Sequence, residues 1–205
     1  MRQRTKTWSI FLLLGALLGA CAPARTQGGA VLVAVLNAPA QSVLEGSAEG
    51  VQGILERETA PNLSYVSSFT MRFLETHNDL FFSRAAPSAA RIARTQGADL
   101  AVMVSAPVLE RTATTSRDGQ SRRVDVAVAL EAQVVDARTD AVVQVLRTRT
   151  LQGSRVEAND GEMVAVQLDP TVQALRDQAV PELAAALSAE LPYLTNSLLI
   201  GSNGG

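Results

Sequence analysis

The chain holds a single cysteine, Cys21, a single histidine, His77, and a single lysine, Lys6, in its 205 residues. One cysteine excludes an intramolecular disulfide and a multi-thiolate zinc site, so stability has to come from packing. One histidine excludes paired-histidine metal motifs, and a Ser-His-Asp arrangement would have only His77 to build on. His77 stands between Thr76 and Asn78 and is read as a solvated loop residue. No G-x-S-x-G, H-E-x-x-H, P-loop or G-x-G-x-x-G occurs. No apolar run of about 18 residues occurs either, so no transmembrane helix is expected. The formal net charge of −2 offers no basic excess, which argues against a nucleic-acid partner. We therefore expect no enzyme activity, no cofactor and no metal. Which carboxylates meet in space is not legible in a linear sequence.

What the chain does have begins at Met1. Arg2, Arg4 and Lys6 form a basic start, and Trp8–Leu18 is an apolar run of signal-peptide length, too short to span a bilayer. The run ends in Leu18-Gly19-Ala20-Cys21, which resembles the bacterial lipobox. That resemblance implies a diacylglycerol thioether on Cys21, cleavage between Ala20 and Cys21 by signal peptidase II, and acylation of the new α-amine, commonly with palmitate. More than one acyl chain is needed for stable anchoring. Ala22 stands where lipoproteins retained in the inner membrane of enterobacteria carry Asp, so the resemblance implies the outer membrane, with the body facing the periplasm. We read residues 1–20 as the signal peptide and 21–29 as lipidated cysteine plus tether. The body, 30–200, is read as one domain, and 201–205 as a disordered tail. Without the leader, 15 basic residues face 20 acidic ones, a charge of −5. The tether Ala22–Gly29 reaches at most about 26–29 Å.

The body opens on Ala30–Leu36, apolar on both faces and β-branched, which predicts a strand covered on both sides. Leu44, Ala48, Val51 and Leu55 fall at helical spacing and predict a helix over 40–57. Gly46, Gly50 and Gly53 lie on its other side; either another backbone comes close there or the helix is irregular. A short strand over 63–67 follows, then a helix over 87–96 that stops at Gly97. Apolar Ala98–Val104 is a second buried strand. Glu110–Arg123 is wholly polar and is read as a long hairpin connection around Asp118-Gly119. Val124–Asp136 alternates, with Val124, Val126, Val128, Leu130, Ala132 and Val134 on one side. A turn over 136–140 leads to a strand over 141–151. Residues 162–168 are expected as a further short strand. Asp169-Pro170 starts a helix that Pro181 kinks or restarts and Pro192 ends. The fold class is α/β (α+β): a mixed sheet of about five strands in the order β-α-β-α-β-β-β-α, ending in an antiparallel meander with helices packed on the sheet.

This order, with Gly97-Ala98-Asp99 opening an apolar strand and Val135-Asp136-Ala137-Arg138-Thr139 turning between two strands, resembles a superfamily of envelope lipoproteins. It includes the curli-secretion pore protein CsgG and the penicillin-binding-protein activator LpoB, and the amino-terminal domain of TolB has a related fold. The resemblance implies a periplasm-facing domain that works through protein contacts and has no catalytic residues. Every phenylalanine of the body lies within positions 69–82: Phe69, Phe73, Phe81 and Phe82. They form either a satellite core cluster or an exposed patch for a partner or for lipid headgroups. Of the two, we expect Phe81 or Phe82 to be at least partly exposed. The partners expected are the membrane, through lipid on Cys21, and envelope proteins, in an interaction or scaffolding role. A homo-oligomer is left open, as is the alternative of a subunit in a secretion complex of the curli type. A small-ligand binder is the remaining alternative.

Overall fold

The computed structural model describes residues 30–38, 44–58, 60–76, 85–159 and 165–201. Cys21, the tether, His77, Phe81, Phe82 and the final four residues lie outside them, as do the loop segment 39–43 and residues 160–164.

The strands are β1 Val31–Asn37, β2 Leu63–Tyr65, β3 Leu100–Thr115, β4 Ser121–Asp136, β5 Val142–Arg147 and β6 Leu151–Ala158. The helices are α1 Ser47–Arg57, α2 Ser68–Thr76, α3 Ala85–Thr95 and α4 Pro170–Gly201. The sheet runs β2-β1-β3-β4-β5, with β6 also on β4. β1 is parallel to β2 and to β3; all other pairs are antiparallel. The expected mixed α/β architecture is what forms.

Two cores follow from strand alternation. On one face, Val33, Val35, Leu100, Val102, Val104 and the predicted Val124–Val134 series pack under α1 and α4. On the other, Ala34, Leu36, Ala101, Met103 and Val135 pack under α2 and α3. The second core ends where those helices end, so β1 and the lower half of β4 are covered on both sides. The upper half of β4 is covered on one side only.

Several elements differ from the sequence reading. The polar segment 110–123 is not a connection: β3 continues to Thr115 and β4 begins at Ser121. Only 116–120 turn, with Gly119 at φ 72° and the Ser121 N–H donating to Ser116 Oγ at 3.1 Å. Polar residues are at home in these arms because one face of each strand meets water. β3 passes Pro107 through a bulge between Ser105 and Val108, one of the few places a sheet interior accepts proline.

The strand expected over 141–151 is two strands. Arg147 lies opposite Glu131 and Leu151 opposite Val128, so one extra residue is accommodated between them. Buried Thr148 bridges this gap: its N–H donates to the Leu130 carbonyl at 2.9 Å, and its Oγ accepts the Leu130 N–H at 3.0 Å. The helix expected over 87–96 forms as α3, and α2, within the phenylalanine-rich window, precedes it as a helix of its own. α1 starts at Ser47 because Gly46 takes φ 81°, outside the helical region. Residues 166–168 form a 3₁₀ turn instead of a strand. α4 runs through both Pro181 and Pro192. Pro181 is exposed, and the bond it forgoes is to the carbonyl of Asp177, a residue facing solvent.

Candidate interaction surfaces and the clasp beneath them

α2 presents the first surface. Phe69 and Phe73 sit four apart, hence on one helix face, and are 80% and 55% exposed. Met71 between them is buried in the core. α2 thus anchors through methionine and turns its phenylalanines outward, and Arg72 pairs with Glu45 at 3.0 Å beside them. Both described phenylalanines of the aromatic window are therefore outside the core clusters. Phe81 and Phe82, and the expectation that one of them is exposed, lie outside the described residues.

The second surface is the uncovered face of the upper hairpin. Register places Thr114, Arg123 and Val156 in one row, Thr112, Asp125 and Ser154 in the next, and Glu110, Ala127 and Gln152 in a third. Arg123 of the first row and the residues of the other two line a shallow depression of about 440 Å³. Arg123 Nε lies 2.9 Å from Asp125 Oδ1. The third surface is the edge strand β5, where Val142, Val143 and Val145 are exposed.

Behind the hairpin, on its covered face, lies a charged clasp that sequence reading did not find. Asp169 caps α4 by accepting the Thr171 N–H at 2.9 Å and has no exposed surface. Arg155 of β6 and Arg111 of β3 both meet its carboxylate, Arg111 at 3.4 Å. Arg155 also reaches Thr171 Oγ1 at 2.9 Å and Glu157 at 2.9 Å, and Arg122 of β4 meets Glu157 at 2.6 Å. Burial alone would push the Asp169 carboxyl up; the Arg155 hydrogen bond, the Thr171 N–H and the Arg155 charge outweigh it and hold it below its ordinary value. Hydrogen bonds from Arg122 and then Arg155 hold Glu157 low as well. Asp169-Pro170 was legible as a helix start. That two arginines from other strands converge on the cap was not.

The clasp is an internally paired network that fixes the start of α4 to three strands. It leaves no poised acid, base or nucleophile. Among the described residues, no group of three or more His, Cys, Asp or Glu comes together to hold a metal.

No protein-family model matches the chain, and no curated protein matches it. Among solved structures, the chain is similar to the C-terminal domain of LpoB from Salmonella enterica, at 18% identity over 69% of this chain and 94% of that one, with a TM-score of 0.36. It is similar to the PelC dodecamer from Paraburkholderia phytofirmans, at 15% identity over 81% and 90%, TM-score 0.34. It is also similar to a lipoprotein from Neisseria meningitidis, at 13% identity over 76% and 99%, TM-score 0.34.

Proposed function

We propose that the protein is a lipid-anchored component of the bacterial cell envelope, held at the outer membrane through Cys21, whose folded domain binds other envelope proteins and performs no covalent chemistry of its own. Leu18-Gly19-Ala20-Cys21 supports the anchoring. The observation that carries the binding role is the outward pair Phe69 and Phe73 on α2. Two phenylalanines held in water by a helix whose other side is core cost free energy in the isolated protein, and a partner would recover it. Aromatic residues of this kind are enriched at the anchor points of interfaces.

The test is crosslinking of the lipoprotein in its native membrane, with and without Phe69→Ser and Phe73→Ser together. The double variant should lose captured envelope proteins while its melting temperature stays close to that of the parent, since exposed substitutions shift stability by about 0.5 kcal/mol or less. Unchanged capture would refute the α2 assignment. A large drop in melting temperature would show the pair to be core.

A further inference from the structure

The last 15 residues of the chain, Leu191–Gly205, contain no charged side chain, yet α4 carries the first eleven of them, to Gly201, as helix. Where that helix end points follows from register. Arg149, next to the Thr148 that pairs with Leu130, donates its N–H to Glu182 at 2.9 Å. From Leu130 to the end of β4 at Asp136 the strand advances about 20 Å, and from Glu182 to Thr195 the helix rises about 20 Å. Thr195, buried, is therefore abreast of the sheet's end, and residues 196–201 run on about 9 Å past it. A second set of contacts gives the same direction. Arg176 reaches the Glu45 carbonyl at 2.6 Å and Gly50 abuts Val180, so α4 runs parallel to α1, which returns toward the start of β2.

That end of the sheet is also where the chain enters it. Val33 pairs with Leu100, and Leu100 with Asp136, so Val31 lies just past the end of β4. The tether to Cys21 leaves from there and spans at most about 26–29 Å. The anchor and the uncharged helix end thus share one pole. The Phe69 and Phe73 helix packs near Val35 and Asn37, at the opposite end of β1.

We propose that the exposed side of the end of α4, from Tyr193 onward, lies in the headgroup–acyl boundary of the membrane that holds Cys21, so that the domain is oriented by two attachments. The proposal rests on the lipid-anchor reading above. Eleven residues are too few to cross a bilayer, and among the described residues no helix is long and apolar enough to do so. An uncharged helix end with an exposed tyrosine, Tyr193 at 73%, is of the kind that settles at the interface. α2, at the far pole, then faces away from the membrane toward partners.

The experiment places a tryptophan at either pole. The only natural one, Trp8, is in the leader. Lipidated Tyr193→Trp and Phe69→Trp proteins are reconstituted into vesicles of phosphatidylethanolamine and phosphatidylglycerol, with and without bromine on the acyl chains, and floated on a density gradient. Flotation reads the Cys21 anchor; quenching reads the pole. The proposal expects both proteins to float, Tyr193→Trp to show blue-shifted emission that brominated lipid quenches, and Phe69→Trp to show neither. Floating protein with an unquenched Tyr193→Trp signal overturns the helix-end proposal and leaves the anchor standing. Quenching of Phe69→Trp instead would put the membrane at the other pole and overturn it too. Tyr193→Trp emission that shifts with protein concentration in the absence of lipid would assign the helix end to a second copy. Protein that does not float overturns the anchor and the proposal together.

Discussion

At position 169 a carboxylate with no exposed surface meets two guanidinium groups and caps a helix. Removing one member of such a set leaves buried charge without a partner, which typically costs about 3–5 kcal/mol. Asp169→Ala should lower the urea-unfolding free energy by about that amount, and Asp169→Asn, which keeps an oxygen for the cap, by less. The pH dependence has a definite sign. Because the folded carboxyl titrates below its ordinary value, its contribution is fully present above the ordinary carboxylate range near pH 4 and is lost as pH falls through the folded value. Glu157 and Asp136 are shifted the same way and add to the same acid limb. Urea midpoints measured between pH 2 and pH 7 should fall on the acid side, and Asp169→Asn should flatten part of that fall. A parallel displacement at every pH would contradict the ion-pair account. Arg111 and Asp169 are 58 positions apart, and no local pattern in the sequence joins them, so the clasp was invisible until the strands were in place.

At the scale of elements, β6 comes close to α4 at Gly153. A Cβ there would stand 2.9 Å from Thr171 Cγ2 and 3.5 Å from Leu175 Cδ1. Gly153→Val should push the helix off the sheet and cost about 1–3 kcal/mol, read as a lower melting temperature. A variant as stable as the parent would show that this face of α4 has room. Gly50 behaves similarly against Val180, at 3.0 Å, and of the two readings of the α1 glycines it supports close approach. What could be read in advance followed from burial. Ala30–Leu36 and Val124–Val134 were legible because strands that bury their residues carry an unbroken apolar or alternating pattern. Leu44, Ala48, Val51 and Leu55 were legible as a buried face, and all four are buried, although Leu44 precedes the helix. The hairpin arms 110–115 and 121–123 were not legible, since their identity as strands comes from pairing with each other and with β6 rather than from their own composition. The split of 141–158 into β5 and β6 depends on one bulge at Thr148, which the sequence does not mark. At the candidate surface, the concentration of phenylalanines over 69–82 was visible, but the exposure of Phe69 and Phe73 follows from Met71 being the inward residue of α2.

For the whole molecule, the long β3–β4 hairpin invites comparison with a membrane-inserting one. Each spanning strand of a barrel needs about 9–11 residues with every second side chain facing lipid. Here one face of the arms is covered by α4 through Val124, Val126 and Val128. The open face carries Glu110, Thr112, Arg123 and Asp125, and arginine near mid-bilayer costs about 2–4 kcal/mol. The lipidated protein should leave planar bilayers electrically silent; reproducible conductance steps absent from a lipid-free control would favour a secretion pore. The proposed anchoring and the proposed orientation both rest on lipidation of Cys21. Fatty-acid labelling of the wild type and of Cys21→Ser in cells tests it most directly. The account predicts label on the wild type, none on Cys21→Ser, and accumulation of the variant as a precursor that keeps residues 1–20. Equal label on both proteins would contradict it.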